Sequence, residues 1–312
     1  MTELSQRILE NHQTRKTKKQ KQAFIDLLTE HFPQTQIQAG KYFGCRNLVV
    51  GDPEKAEFLL SAHYDTCAAM PLPNFITPKK PVLTVLYSLL IILPMLALVM
   101  LLNIGLNQIS TNYWLNYAIS LVVYFGMLSL MIFGPANKHT ANDNTSGVIT
   151  LCELMGTLPE DLQEKVCFIF FDQEETGLIG SYFFRKKYKE VIKDKLLINF
   201  DCVSDGDHLL LAATKAAREK YEDRFIASFV GNDEKVILLD NLEKVYYPSD
   251  HAGFPMAMAA AALKHNKHIG YYMDRIHTPR DIVFDEKNIT LLCECVRRFL
   301  EYRDGTDTTE VL

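Results

Sequence analysis

Between Lys80 and Lys138 the chain carries no Asp, Glu, Lys or Arg, and no other feature restricts its fold as tightly. Two apolar runs fill that window, about Val82 to Leu102 and about Tyr113 to Phe133, joined by a more polar connection from Asn103 to Asn112. Each reaches the roughly 20 residues that a helix needs to cross a hydrocarbon layer. Pro94 is placed to kink the first run, and Tyr113, Trp114 and Tyr117 gather at one end of the second, where amphipathic rings favour a membrane interface. The competing reading is a helical hairpin buried in a soluble core. That would need a much larger protein around it than 312 residues.

Two spans return the chain to the side on which it started. Lys79, Lys80 and Lys138 flank the hairpin there, and the connecting loop holds no Lys or Arg. The positive-inside rule therefore expects a multi-pass protein of the cell membrane, with both termini and the remaining domain in the cytoplasm. The net charge of −5 and pI near 6.0 give no electrostatic footprint for nucleic acid. Arg15, Lys16, Lys18, Lys19 and Lys21 crowd together near the start, either as a solvated helix face or as an attraction for anionic lipid head groups. Seven cysteines, an odd count without scaffold or zinc-knuckle spacing, fit a reducing compartment. Met1 to Glu30 has no apolar stretch of the signal-peptide kind, so no cleavable leader is expected.

Outside the hairpin the pattern is α/β. Leu4 to His31 reads as one or two amphipathic helices packed on a sheet edge. Asn47–Val50 and Phe58–His63, split by Gly51-Asp52-Pro53, read as a β-hairpin that delivers His63. Helices are expected over Ser146–Leu158, Ile179–Tyr188 and Glu286–Tyr302, and strands over Val166–Phe171, Leu196–Phe200, His208–Ala213, Val236–Leu239 and His268–Tyr272. The expected fold is a mixed, mostly parallel central sheet with helices on both faces. Residues 1–80 and 138–304 would form one catalytic domain interrupted by the hairpin at 81–137, with a frayed tail from Asp304 to Leu312.

The chemistry gathers at strand ends. His63 and Asp65 are two apart, on one side of a strand, so Asp65 can orient the imidazole while that ring binds a metal. Glu174 and Glu175 follow an apolar strand and point different ways; one can hold a metal while the other takes a proton from water. Asp201 ends the next strand, and His277 precedes Pro279 and Asp281, the latter a supporting partner. Asp143 in Asn142-Asp143-Asn144-Thr145-Ser146-Gly147 would be shared by two ions. Two His, two Asp and one Glu suit zinc, and a shared carboxylate suits ions roughly 3.5–4 Å apart.

These motifs, together with Gly180-Ser181 and Ser249-Asp250-His251, make the sequence resemble the zinc-dependent aminopeptidase family that also contains glutamate carboxypeptidases and animal glutaminyl cyclases. The likeness runs over roughly residues 45–300 and is interrupted by the hairpin. It implies a zinc aminopeptidase/phosphorylase-like fold, with His63 and Asp201 holding one zinc, Glu175 and His277 the other, Asp143 bridging, and Glu174 as general base. Cobalt and manganese are the other ions that the donor set accommodates. Tyr246 matches a position where some members place a carbonyl-polarising tyrosine, and a cis peptide after Asp143 is implied. Retention of all five ligands implies peptide hydrolysis by a bridging hydroxide rather than cyclisation. The hairpin has no counterpart in ordinary secreted members. It makes the bilayer a partner and points to hydrophobic or membrane-derived peptides as substrates. A carboxypeptidase or deacylase on the same metals, with Arg275 or Arg280 binding a carboxylate, is one rival; a non-catalytic membrane scaffold is the other.

Overall fold

The computed structural model describes residues 1–41, 44–70, 72 and 74–303; the tail expected to fray, Asp304 to Leu312, lies outside the described residues. Among the described residues nine strands form one sheet: β1 Gln36–Ala39, β2 Arg46–Val50, β3 Phe58–His63, β4 Val166–Phe171, β5 Leu196–Phe200, β6 His208–Ala213, β7 Val236–Asn241, β8 Ala257–Asn266 and β9 Gly270–Tyr272. Their order is β1-β2-β4-β3-β5-β8-β6-β7, with β9 beside β8. The centre, β4-β3-β5-β8, is parallel; β1–β2, β2–β4, β6–β8 and β8–β9 are antiparallel. The helices are α1 Glu3–Asn11, α2 Lys18–His31, α3 Pro81–Ile109, α4 Tyr113–Phe133, α5 Gly147–Thr157, the single turn α6 Glu160–Gln163, α7 Ile179–Lys187, α8 Lys215–Ser228 and α9 Glu286–Glu301.

Strand β4 shows why the sheet is covered on both faces. All six of its residues are apolar and buried. Val166, Phe168 and Phe170 join a core shared with α1, α2, α5, α8 and α9, whereas Cys167, Ile169 and Phe171 pack on the other face against Phe184 of α7. Two expectations change here. Strands β2 and β3 do not form a hairpin, because β4 inserts between them, antiparallel to β2 and parallel to β3. Helices α1 and α2 lie on a face of the sheet rather than its edge: Phe24 stacks on Tyr64 at 5.4 Å and meets Phe170 edge-on at 6.2 Å.

Sequence periodicity also misses β8. Its Ala257-Met258-Ala259-Ala260-Ala261-Ala262 run has poor strand propensity, and its small side chains let it pack between β5 and β6.

The hairpin consists of α3 and α4, helices long and apolar enough to cross a membrane, with mean hydropathy 2.8 and 1.8 in their most apolar windows. Only 6% and 11% of those windows are buried, so the rest of the described chain leaves both helices largely uncovered. α3 extends past the expected polar connection to Ile109, leaving only Ser110 to Asn112 between the helices. The polar residues in that extension face α4: Asn103 donates to Ser120 at 3.1 Å, and Asn116 donates to Asn107 at 2.8 Å and to the Ser110 carbonyl at 3.0 Å. At the other end, Lys79 pairs with Asp240 at 2.6 Å and Lys16 donates to the Ile132 carbonyl at 2.6 Å, fastening the hairpin to the domain. The basic cluster near the start is therefore not one solvated face. Arg15 is buried and Lys21 is paired with buried Asp172, while Lys18 and Lys19 are exposed.

Candidate metal centre

In a parallel sheet, side chains that follow neighbouring strands converge at the carboxyl ends. Here β4, β3 and β5 are neighbours, so Glu174 and Glu175, His63, and Asp201 meet although they are far apart in sequence. Asp143 enters from the segment between α4 and α5, and His277 from the loop after β9. His63 Nε2 lies 3.3 Å from Asp143 Oδ1 and 3.4 Å from Asp201 Oδ1. His277 Nε2 lies 2.9 Å from Asp143 Oδ2 and 3.3 Å from Glu175 Oε2. Asp143 thus turns one oxygen to each imidazole.

Each donor is held by a named contact. The Asp65 carbonyl faces His63 Nδ1 at 3.1 Å, leaving Nε2 turned into the site. The Asp65 carboxylate accepts the amides of Glu174 at 3.0 Å and Glu175 at 3.3 Å. Asp281 accepts the amides of Asn142 at 2.8 Å and Asp143 at 3.0 Å, so it supports Asp143 and its loop. Ser249 donates to Asp201 Oδ2 at 2.6 Å and accepts from Asn199 Nδ2, whose partner oxygen Oδ1 accepts from the Ser61 hydroxyl. The peptide after Asp143 is cis. At Gly147 a Cβ would run into the Phe200 carbonyl, which is why the loop must end in glycine there. The described non-glycine residues with positive φ are Gln173, Leu178, Cys202 and His277, all in or beside the segments that carry these groups.

Without a cation the cluster is an electrostatic conflict. Burial pushes Glu174 well above the ordinary range and Glu175 up to about 8, with neighbouring carboxylates adding to it. Burial alone would lower His277, but Glu175 and Asp143 hold it up at about 9. Burial would raise Asp143, yet His277 and His63 hold it below the usual carboxylate range. Glu175 Oε1 is buried with no hydrogen-bond partner. Imidazole nitrogens and carboxylate oxygens converging around an unsatisfied buried oxygen fit divalent zinc. Two such groups share Asp143, one with His63 and Asp201, the other with Glu175, His277 and Cys67.

A cleft of about 430 Å³ opens over these residues, walled by Ile76, Ile132, Leu178, Tyr247 and Ile276. Tyr246 is not among its lining residues: its amide donates to the Pro78 carbonyl and its side chain is half exposed. The next residue, Tyr247, lines the cleft instead, because successive side chains of an extended segment point to opposite sides. Its hydroxyl donates to the Asp201 carbonyl at 3.0 Å. Sequence reasoning also missed Cys67, whose partners are too distant in sequence for any spacing rule.

The sequence profile of peptidase family M28 matches residues 126–299, more than half of the chain. This chain belongs to peptidase family M28. It is accordingly a zinc-dependent peptidase acting on peptide substrates. Similar solved structures include Porphyromonas gingivalis glutaminyl cyclase, with 17% identity, 96% of this chain and 95% of that one covered, and a TM-score of 0.57. A Zn-dependent exopeptidase from Parabacteroides distasonis gives 13%, 96% of each chain, and 0.57. The Legionella pneumophila LapA aminopeptidase gives 15%, 96% and 67%, and 0.54. At these identities the likeness is one of fold. No curated protein sequence matches significantly.

Proposed function

We propose that this M28 peptidase is a membrane-anchored di-zinc aminopeptidase that removes N-terminal residues from peptides. The observation that carries the proposal is the division of Asp143 between His63 and His277. In this reading His63 and Asp201 would hold one ion, Glu175 and His277 the other, and Asp143 would contribute to both. Zinc bound there supplies Lewis acidity toward the scissile carbonyl and acidifies water. The chain supplies the rest. Glu174 takes a proton from the attacking water and passes it to the leaving amine, a role suited to a buried carboxylate of raised proton affinity. Asp65, through the two amides it accepts, keeps Glu174 and Glu175 in their separate roles.

The carboxypeptidase rival loses its candidate anchors. Arg275 pairs with Asp205 at 3.1 Å, Arg280 donates to the Asp274 carbonyl at 2.9 Å, and neither lines the cleft. The membrane enters through α4, since Ile132 in its last turn forms part of the cleft wall. This supports a site at the membrane surface that receives hydrophobic or membrane-derived peptides; the cytoplasmic side rests on the lysines flanking the hairpin.

The deciding experiment is hydrolysis of aminoacyl fluorogenic amides, free and N-acetylated, by the detergent-purified full chain. Cleavage of the free amines alone is expected. Glu174→Gln should lower it by at least about 10²-fold, the lower end of what a general base contributes, with metal content unchanged, and a chelator should abolish it. Equal cleavage of the acetylated substrates would overturn the aminopeptidase assignment.

A further inference from the structure

Cys67 has no place in the ligand set of the family motif. Nevertheless its thiol lies in one group with donor atoms of Asp143, Glu175 and His277, all within 4.8 Å of one another. Cys67 is 2% exposed. The Glu175 side chain, 8% exposed, turns Oε2 to His277 and leaves Oε1 without a partner, so this half of the centre has an unsatisfied buried oxygen. The backbone that carries the thiol is tied on several sides. The Cys67 carbonyl accepts from Asn137 at 3.1 Å, Ala68 bridges to Ala136, Ala69 donates to Pro135 at 2.8 Å, and Met70 donates to the carbonyl of His277 at 2.8 Å. The segment entering the membrane hairpin is thereby bound both to the segment leaving it and to a ligand residue.

We infer that Cys67 is a further metal ligand, its thiolate joining Asp143, Glu175 and His277 at one of the two ions. The inference rests on the two-metal reading of the site. On binding, the S–H bond breaks, its proton leaves to solvent, and the sulfur lone pair is donated to the metal. The two ions become unequal, one held by nitrogen and oxygen alone and the other also by a soft sulfur. Sulfur favours zinc or cobalt over manganese or magnesium at that position.

The test is titration of the chelator-stripped full chain in detergent with Co²⁺, followed in the near ultraviolet for a sulfur-to-cobalt charge-transfer band. Metal content is counted alongside. The expected result is two cobalt ions with one thiolate band, lost in Cys67→Ser and retained in Cys202→Ala. Cys202 is the needed control because its thiol donates to Asp201 Oδ1 at 3.2 Å. Cys67→Ser should also weaken one of the two ions by at least about tenfold, the lower end of what loss of even a supporting partner causes. Two bound cobalt ions without a band, or a band that survives Cys67→Ser, would overturn the inference and leave the two-metal reading intact. Failure of the parent protein to bind two ions would overturn both.

Discussion

At the scale of single residues, the proposed ligands have little freedom because of the groups behind them. Asp201 accepts from Ser249, which is itself fixed by Asn199 and Ser61 in a buried chain of hydrogen bonds. Ser249→Ala should weaken metal binding by about 10–100-fold, as loss of an outer partner does, with folding retained; competition with a chromophoric chelator measures it. Lys21 illustrates a different dependence. It pairs with Asp172 at 2.7 Å, and Asp172, whose side chain is fully buried, also accepts the Arg46 amide. Lys21→Met leaves a buried carboxylate without its cation and should cost about 3–5 kcal/mol, seen as a lower denaturation midpoint. Among the proposed ligands and the proposed base, His63, Asp201 and the Glu174-Glu175 pair were legible in the sequence because they follow apolar runs, and Asp143 and His277 because of the motifs around them. Lys21 was not, since nothing local distinguishes it from exposed Lys18 and Lys19.

At the scale of elements, α3 and α4 follow directly from composition: a stretch without charge and of this length forms helices that must be covered, and the domain does not cover them. What composition does not reveal is where α4 ends, with Ile132 in the cleft wall and its carbonyl accepting from Lys16. Replacing residues 81–133 by a short linker should therefore release a soluble chain that loses activity on hydrophobic peptides more than on short soluble ones. Equal retention on both classes, measured as kcat/KM, would remove the hairpin from substrate recognition.

At the scale of the whole molecule, folding gathers several buried carboxylates around two imidazoles, a cluster that protons balance in the metal-free site and that zinc would balance in the proposed reading. Metal binding needs ionised carboxylates and neutral imidazoles. With Glu175 at about 8 and His277 at about 9 in the metal-free site, both hold protons near neutrality that the ions displace. Affinity should thus rise with pH through that range and fall as pH drops. Calorimetric titration in buffers of different ionisation heat checks this, and a buffer-independent heat would contradict it. Zinc at 100 times its Kd should add about 2.7 kcal/mol of stability, which a chelator removes. The α/β class, the two candidate spans and the stock of available acids and imidazoles follow from periodicity, charge and residue chemistry, which are local properties of the chain. Long-range packing is what separates β2 from β3 by β4, makes an alanine run into β8, turns Tyr247 rather than Tyr246 into the cleft, and brings Cys67 beside Asp143, Glu175 and His277. These outcomes depend on strand order and on packing between segments far apart in the chain, which no local pattern encodes.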